Sequence, residues 1–372
     1  MNIAIVCYPT FGGSGVLATE LGKALAEKGH DIHFITYQQP VRLSGFHANI
    51  FYHEVRVPTY PLFDFPPYET ALASAMVDVV NNHHIDLLHV HYAIPHASAA
   101  YMAKQILSKQ GKKLPVITTL HGTDITLVGR DKTYSPVVTF SMEESDILTA
   151  VSENLKEETY RNFKIDKPIE VINNFVDISR FNKKPVSAFK KLIAPNDEKI
   201  IVHASNFRKL KRVQDVVDIF MLLNKKIPSK LLLIGDGPER AEIEAFTRSC
   251  ENCGEIKFLG KQEQIEDILP IADLFLLPSE YESFGLAALE AMAAEVPVIS
   301  THAGGLPEIN INGITGYMSE VGNVKEMSEN AFAILEDEKI HLKFKSNALV
   351  QAKKFGIDKI VPKYEALYKR VV

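Results

Sequence analysis

Short apolar runs alternate with helical segments in two successive series along the chain, and this doubled alternation restricts the fold more than any other feature. The first series contains "NIAIVCY", "DIHFITY", "LLHVHY", "PVITTLHG" and "DILTAVS", separated by helices such as "ETALASAMVDVVNN" and "PHASAAYMAKQILSK". The second restarts near residue 199 with "KIIVHASNF", followed by "KLLLIGDGP", "IKFLG", "LFLLPSE" and "PVISTHAG". Strands this apolar need cover on both faces, so each series predicts a parallel sheet between two helical layers.

A chain of 372 residues is too long for one ordinary core. The expected class is therefore α/β, with two Rossmann-like domains facing each other across a deep interdomain cleft, at the carboxyl ends of both sheets where ligands bind. The expected boundaries are 1–170 for the N-terminal domain, 171–198 for a polar interdomain connection and 199–355 for the C-terminal domain. Residues 356–372 are expected to form a helix returning to the N-terminal domain.

Bulk properties narrow the function. The net charge of −5 offers no basic field to recruit nucleic acid or anionic lipid. No apolar run approaches bilayer thickness, and the chain opens directly on a core strand without a leader-like pattern, so a cytoplasmic location is expected. The three cysteines agree with a reducing compartment. Cys250 and Cys253 form "CENC", but no second pair follows, so a helix-face coincidence is favoured over zinc or redox chemistry. Cys7 reads as a small strand-end residue.

The junction "CYPTFGGSGVLATELGKALAEKGH" runs from strand through a glycine cluster into helix. Backbone N–H groups of Gly13, Ser14 and Gly15 at such a junction suit an anion. Gly13, Gly15 and Ala18 fit a dinucleotide fingerprint loosely. The second strand ends in Tyr37, Gln38 and Gln39, however, without the carboxylate that a nicotinamide ribose needs. An anionic substrate group is the better reading, beside the plain alternative of close helix packing.

Unusual polar residues follow the strands. "HGTD", His121 to Asp124, closes one, and "GDGPE", Gly235 to Glu239, follows another as ordinary turn chemistry. "SNFRKLKR" places Arg208, Lys209, Lys211 and Arg212 ahead of a helix, where positive charge opposes the helix dipole. A polyanion such as a diphosphate would account for the cluster, the alternative being a solvated basic turn. Glu282 and Glu290 are eight residues apart, on nearly the same side of a helix expected to begin around Ser283. On that expectation the N–H groups of Ser283, Phe284 and Gly285 cap an anion or a sugar hydroxyl. An acid within "LAALEAM" argues for a ligand.

The paired halves, "GGSG", "HGTD", the Arg/Lys cluster and Glu-x7-Glu together resemble the GT-B retaining glycosyltransferases of family GT4 across nearly the whole chain. "HVHYAIPHA", "TTLHGTDIT" and "ESFGLAALEAM" are similar to members that act on UDP-GlcNAc and L-malate, opening bacillithiol synthesis. The resemblance implies an acceptor-binding N-terminal half and a nucleotide-sugar-binding C-terminal half. It implies that Gly12, Gly13 and Ser14 face the donor diphosphate and the acceptor hydroxyl. Arg208 and Lys211 would neutralise the diphosphate, with Asn206 and Gly235 near the donor. Glu290 would take the ribose hydroxyls, Glu282 with Ser283, Phe284 and Gly285 would hold the sugar, and His121 would sit near the anomeric centre.

Many family members carry Arg five residues before the phosphate-binding Lys, whereas this chain has Asn206, so Lys209 and Arg212 stay open as substitutes. Malate's two carboxylates need donors in the first half, and Arg130, Lys132, Tyr92, Thr118 and Thr119 are the candidates. No Asp-x-Asp stands at a strand end, so no metal and no cofactor are expected, the fixed cations acting instead. The expected partners are UDP-GlcNAc and L-malate, with self-association left open. Alternatives are a GT4 transferase with another acceptor and a non-catalytic nucleotide-sugar sensor. A membrane-embedded acceptor would call for a basic, apolar patch in the first half, and none is evident in the sequence.

Overall fold

The computed structural model describes residues 1–58, 60–181, 187–249 and 254–372. Cys250 and Cys253 lie outside the described residues. The chain divides into two compact units, Met1–Asn174 with Lys359–Val372, and Phe175–Asp358.

The first unit is built on a seven-stranded sheet. Its strands are β1 Asn2–Val6, β2 Asp31–Thr36, β3 Ile50–Glu54, β4 Leu87–His91, β5 Val116–Leu120, β6 Ile147–Ala150 and β7 Ile169–Val171, in the order β3-β2-β1-β4-β5-β6-β7. Every pairing is parallel. The helices are α1 Gly13–Glu27, α2 Tyr68–Asn82, α3 Ser98–Lys109, α4 Ser135–Glu144 and α5 Glu153–Asn162. β4 and β5 lie in the middle of the sheet and are buried at every residue, which is why they read as continuous apolar runs despite containing His and Thr. β3 and β7 were not expected. β3 is a half-exposed edge strand and β7 has three residues, so neither carries a long apolar run.

Residues Lys359–Val372 belong to this unit. Tyr364 and Tyr368 are fully buried, and Glu365 accepts from Lys28 at 2.6 Å, while Arg370 bonds Glu170 at 2.8 Å.

The second unit carries a six-stranded sheet, also entirely parallel, in the order β10-β9-β8-β11-β12-β13. Its strands are β8 Lys199–Ser205, β9 Ser229–Gly235, β10 Ile256–Gly260, β11 Leu274–Leu277, β12 Val298–Thr301 and β13 Gly316–Ser319. The helices are α6 Ser187–Ile193, α7 Val213–Asn224, α8 Arg240–Ser249, α9 Leu286–Ala293, α10 Leu306–Ile309, α11 Val324–Leu335 and α12 Glu338–Ala352. One side of the sheet buries Ile201, Leu231, Leu233 and Leu276 against Val216, Phe220 and Ile334 from α7 and α11. Both units thus carry their loops of functional interest after strand carboxyl ends, as open parallel sheets require.

Candidate active site

In the first unit, the loop after β1 enters α1 with Gly12 at the N-cap and no side-chain cap. The first helical N–H groups therefore have no intrahelical acceptor and point outward. Thr10, Phe11 and Gly13 are exposed and Gly15 is buried. A Cβ at Gly15 would meet the Tyr8 carbonyl oxygen at 2.4 Å, so Gly15 serves close packing. Ser14 Oγ lies 2.7 Å from the Tyr92 hydroxyl, joining two expected site residues across the β1 and β4 loops. Tyr92 adopts φ 87°, a strained value for a side chain of its size.

Beneath Tyr92 is a network of imidazoles that sequence reasoning largely missed. His121 Nε2 and His91 Nδ1 are 2.8 Å apart, and the His121 ring lies 5.1 Å from that of Tyr92. His89 stacks on His91 at 4.4 Å and bonds the Tyr368 hydroxyl and Thr119 Oγ1, each at 2.7 Å. Burial holds His121 and His89 down to about 3 and His96 down to about 4, so all three are neutral at physiological pH. His91 and His96 each keep a buried Nε2 without a hydrogen-bond partner. Asp124 accepts from the N–H groups of Ala93 at 2.9 Å and Gly122 at 3.0 Å, tying the β4 and β5 loops together. Burial raises its carboxyl to about 6.

Several of the acceptor candidates are engaged within the fold. Thr118 and Thr119 are fully buried. The Thr118 hydroxyl bonds Ser145, and that of Thr119 bonds His89 and Thr149, each at 2.7 Å, so these hydroxyls brace the sheet rather than meet an acceptor. Arg130 is exposed and spends its guanidinium on Glu158 at 2.7 Å. Large apolar side chains are exposed in this unit: Phe46, Leu62 and Phe65 are 93%, 80% and 91% exposed. No cluster of Lys and Arg accompanies them in sequence, since residues 46–65 carry Arg56 against Glu54 and Asp64. Cys7 is buried and its thiol is pushed up to about 12, which makes it inert.

In the second unit, the basic turn follows β8. Asn206, Arg208 and Lys209 are exposed, while Phe207 is buried at φ 40° and anchors the turn. Gly235, at φ 121°, packs against this turn: a Cβ there would meet the Ser205 carbonyl oxygen at 1.8 Å. Gly235 therefore shapes the loop that presents Arg208. Arg208 and Lys209 side chains have no ion-pair partner among the described residues, but Arg212 is held by Asp215 at 2.7 Å and Glu280 at 3.0 Å. Lys211 Nζ donates to Glu282 Oε1 at 2.6 Å, and Ser279 Oγ donates to the same oxygen at 2.9 Å.

The helix expected to begin at Ser283 begins at Leu286. Gly285 takes φ 93°, a left-handed value that ends the preceding loop and starts α9 one turn late. The first-turn N–H groups are consequently those of Leu286, Ala287 and Ala288, and Glu282 sits in the loop after β11 rather than on the helix with Glu290. Glu290 is 8% exposed among Ala288, Leu289, Ala291 and Met292, a buried acid on an otherwise apolar helix. Phe284 is buried against Phe355, with ring centroids 5.6 Å apart, and holds the loop between the two glutamates.

Two parallel Rossmann-like units, each with polar and charged loops after its strands, define a glycosyltransferase of the GT-B class. Residues 11–180 match the family described as Glycosyltransferase Family 4, and residues 187–351 match that described as Glycosyl transferases group 1. The chain belongs to glycosyltransferase family 4. It is 46% identical over 374 residues to the N-acetyl-alpha-D-glucosaminyl L-malate synthase of Bacillus anthracis, covering 100% of this chain and 97% of that protein. It resembles the Anabaena Alr3699/HepE structure in complex with UDP and glucose, with a TM-score of 0.82 at 19% identity over 99% of each chain. It also resembles sucrose-phosphate synthase from Thermosynechococcus elongatus, with a TM-score of 0.79 at 22% identity over 100% of this chain and 98% of that one. No helix among the described residues is long and apolar enough to cross a membrane.

Proposed function

We propose that the chain transfers N-acetylglucosamine from UDP-GlcNAc to the hydroxyl of L-malate, with retention at the anomeric carbon and without a metal, as the first step of bacillithiol synthesis in the cytoplasm. The observation that carries this reading is identity to the malate-dependent synthase that runs through both halves of the chain, at 46% with full coverage. In the second unit, Arg208 and Lys211 bind the diphosphate and stabilise the charge that grows on it as the sugar leaves. Glu290 accepts the ribose hydroxyls, and Glu282, fixed through Lys211 and Ser279, accepts a sugar hydroxyl with its second oxygen.

In the first unit, the open N–H groups after Gly12 and the Ser14–Tyr92 hydroxyl pair meet the acceptor, and neutral His121 packs near the reacting carbon. The C1–O bond to UDP breaks as the malate oxygen bonds to C1 on the same face. The hydroxyl proton passes to the departing phosphate, leaving UDP. The test is mass spectrometry after incubation with UDP-GlcNAc and a panel of hydroxy acids. The expected result is a GlcNAc adduct of malate above all others. A dominant adduct of another acid would replace malate, and binding of UDP-GlcNAc without any adduct would favour a sensor.

A further inference from the structure

Three imidazoles converge at the edge of the first sheet, outside the network around His121. His33 lies on β2 and His53 on β3, on the same face because Ile35 pairs with His53 and His33 with Phe51. His83 is the residue that ends α2, and its backbone turns extended there, at φ −130° and ψ 147°. Each residue brings one ligand nitrogen to within 4.8 Å of the other two. His33 Nδ1 and His53 Nε2 are already 2.9 Å apart, and the rings of His33 and His53 each lie about 5 Å from that of His83, at 4.9 and 5.1 Å.

We propose that His33, His53 and His83 form a three-histidine site for a divalent transition-metal ion, zinc foremost, that clamps edge strand β3 and the end of α2 to β2. Tetrahedral zinc with Zn–N bonds of about 2.0–2.1 Å needs nitrogens ~3.3 Å apart. Rotations of the half-buried His53 and the exposed His83 would bring the nitrogens, now 2.9 Å apart for His33 and His53 and all within 4.8 Å, to that spacing, while buried His33 supplies the fixed corner. Three protein ligands leave the fourth position to water on the exposed side, and nitrogen donors of this kind favour zinc, copper or nickel over magnesium or calcium. Burial, then His53 and His83, hold the His33 imidazole down to about 4, and burial and His83 lower that of His53. These rings are therefore unprotonated at neutral pH, the form that binds metal. Asp31 and Asp78 add nearby negative charge, which favours a cation.

The alternative is a stack of neutral imidazoles held by one hydrogen bond and by packing on Phe51, at 4.7 Å from His33. The experiment titrates zinc into the chelator-stripped full chain against a chromophoric chelator, with cobalt absorption as a second reading and circular dichroism to confirm folding. The expected result is one equivalent of zinc, a raised Tm on loading, and cobalt bands of tetrahedral type. His53→Ala and His83→Ala should each weaken binding by more than the ~10–100-fold that losing only a ligand's supporting partner costs. Both variants should fold and keep transferase activity, and His302→Ala, on the second unit, should bind as the parent does. Zinc bound no more tightly by the parent than by the His53→Ala/His83→Ala double variant would overturn the proposal. Binding lost on His121→Ala but kept in that double variant would overturn it too. Neither outcome depends on which acceptor the enzyme uses.

Discussion

Lys211 Nζ donates to Glu282 Oε1 at 2.6 Å, with side chains only 16% and 13% exposed. The pair joins the basic turn after β8 to the loop after β11, across 71 residues of sequence. Ser279 donates to the same carboxylate oxygen, and Oε2 of Glu282 has no hydrogen-bond partner among the described residues, which leaves it open to a ligand donor. Lys211 in turn keeps further N–H donors for an anion. The ion pair thus fixes both groups while leaving each a bonding capacity.

Glu282→Ala and Lys211→Ala are each expected to lower kcat by ~10²–10³, the usual loss for one preorganised charge-stabilising group. The double variant should lose less than the product of the two, since each single change already disturbs the other partner. Steady-state kinetics on the four proteins checks this, and strictly multiplicative losses would show that the pair does not act as a unit.

Arg208 and Lys209 are neighbours, both exposed, with different expected roles. Arg208→Ala should reduce kcat more than it raises the donor KM, because the diphosphate charge grows toward the transition state. Arg208→Lys should recover part of the rate, keeping charge but losing the fork. Lys209→Ala should be mild. A crippling Lys209→Ala beside a silent Arg208→Ala would move the diphosphate contact by one residue.

Glu290→Ala should weaken UDP binding by roughly 1.5–3 kcal/mol, the worth of hydrogen bonds to a charged group. Calorimetry on the folded variant measures it directly. Unchanged UDP affinity would remove Glu290 from the ribose site.

The doubled alternation of strand and helix is written plainly in the sequence because central parallel strands must be apolar on both faces. β3 escaped because its sequence, "IFYHE", is half exposed, and the α9 boundary escaped because only the φ of Gly285 reveals where the helix starts. Thr118 and Thr119 looked like ligand donors because hydroxyls at a strand end are ambiguous until their cross-strand partners are known. The Lys211–Glu282 contact and the histidine clusters have no local signature, since strand order alone brings their members together. Arg208 and Glu290 stood out as candidates because a charge in a dipole-opposed or apolar setting is costly, whereas Glu282 was marked only by its spacing to Glu290, which the late start of α9 undoes.

Stability should fall as pH drops from 7 toward 5. His89, His96 and His121 are held down to about 3, 4 and 3, so the unfolded chain binds more protons than the folded one below about 6.5. Each such imidazole contributes a slope of up to ~1.4 kcal/mol per pH unit, with stability lost on acidification. Asp124, raised to about 6, with Glu69 and Asp218 also raised by burial, favours its protonated form in the fold and opposes the trend at the acid end, but His33 and His203, each held down to about 4, add to the lowered imidazoles. Urea unfolding between pH 5 and 7.5 checks the sign, and a flat or rising profile on acidification would contradict it.

The most direct measurement combines product and metal dependence in one reaction. The enzyme is incubated with UDP-GlcNAc and L-malate in excess EDTA, and UDP and the glycoside are quantified by mass spectrometry, with the anomeric configuration read by proton NMR. Equal amounts of UDP and of an α-linked GlcNAc malate are expected, formed at the same rate as without chelator, as they would be if Arg208 and Lys211 take the place of a metal. Transfer that stops in EDTA and returns with magnesium, or a β-linked product, would contradict this expectation.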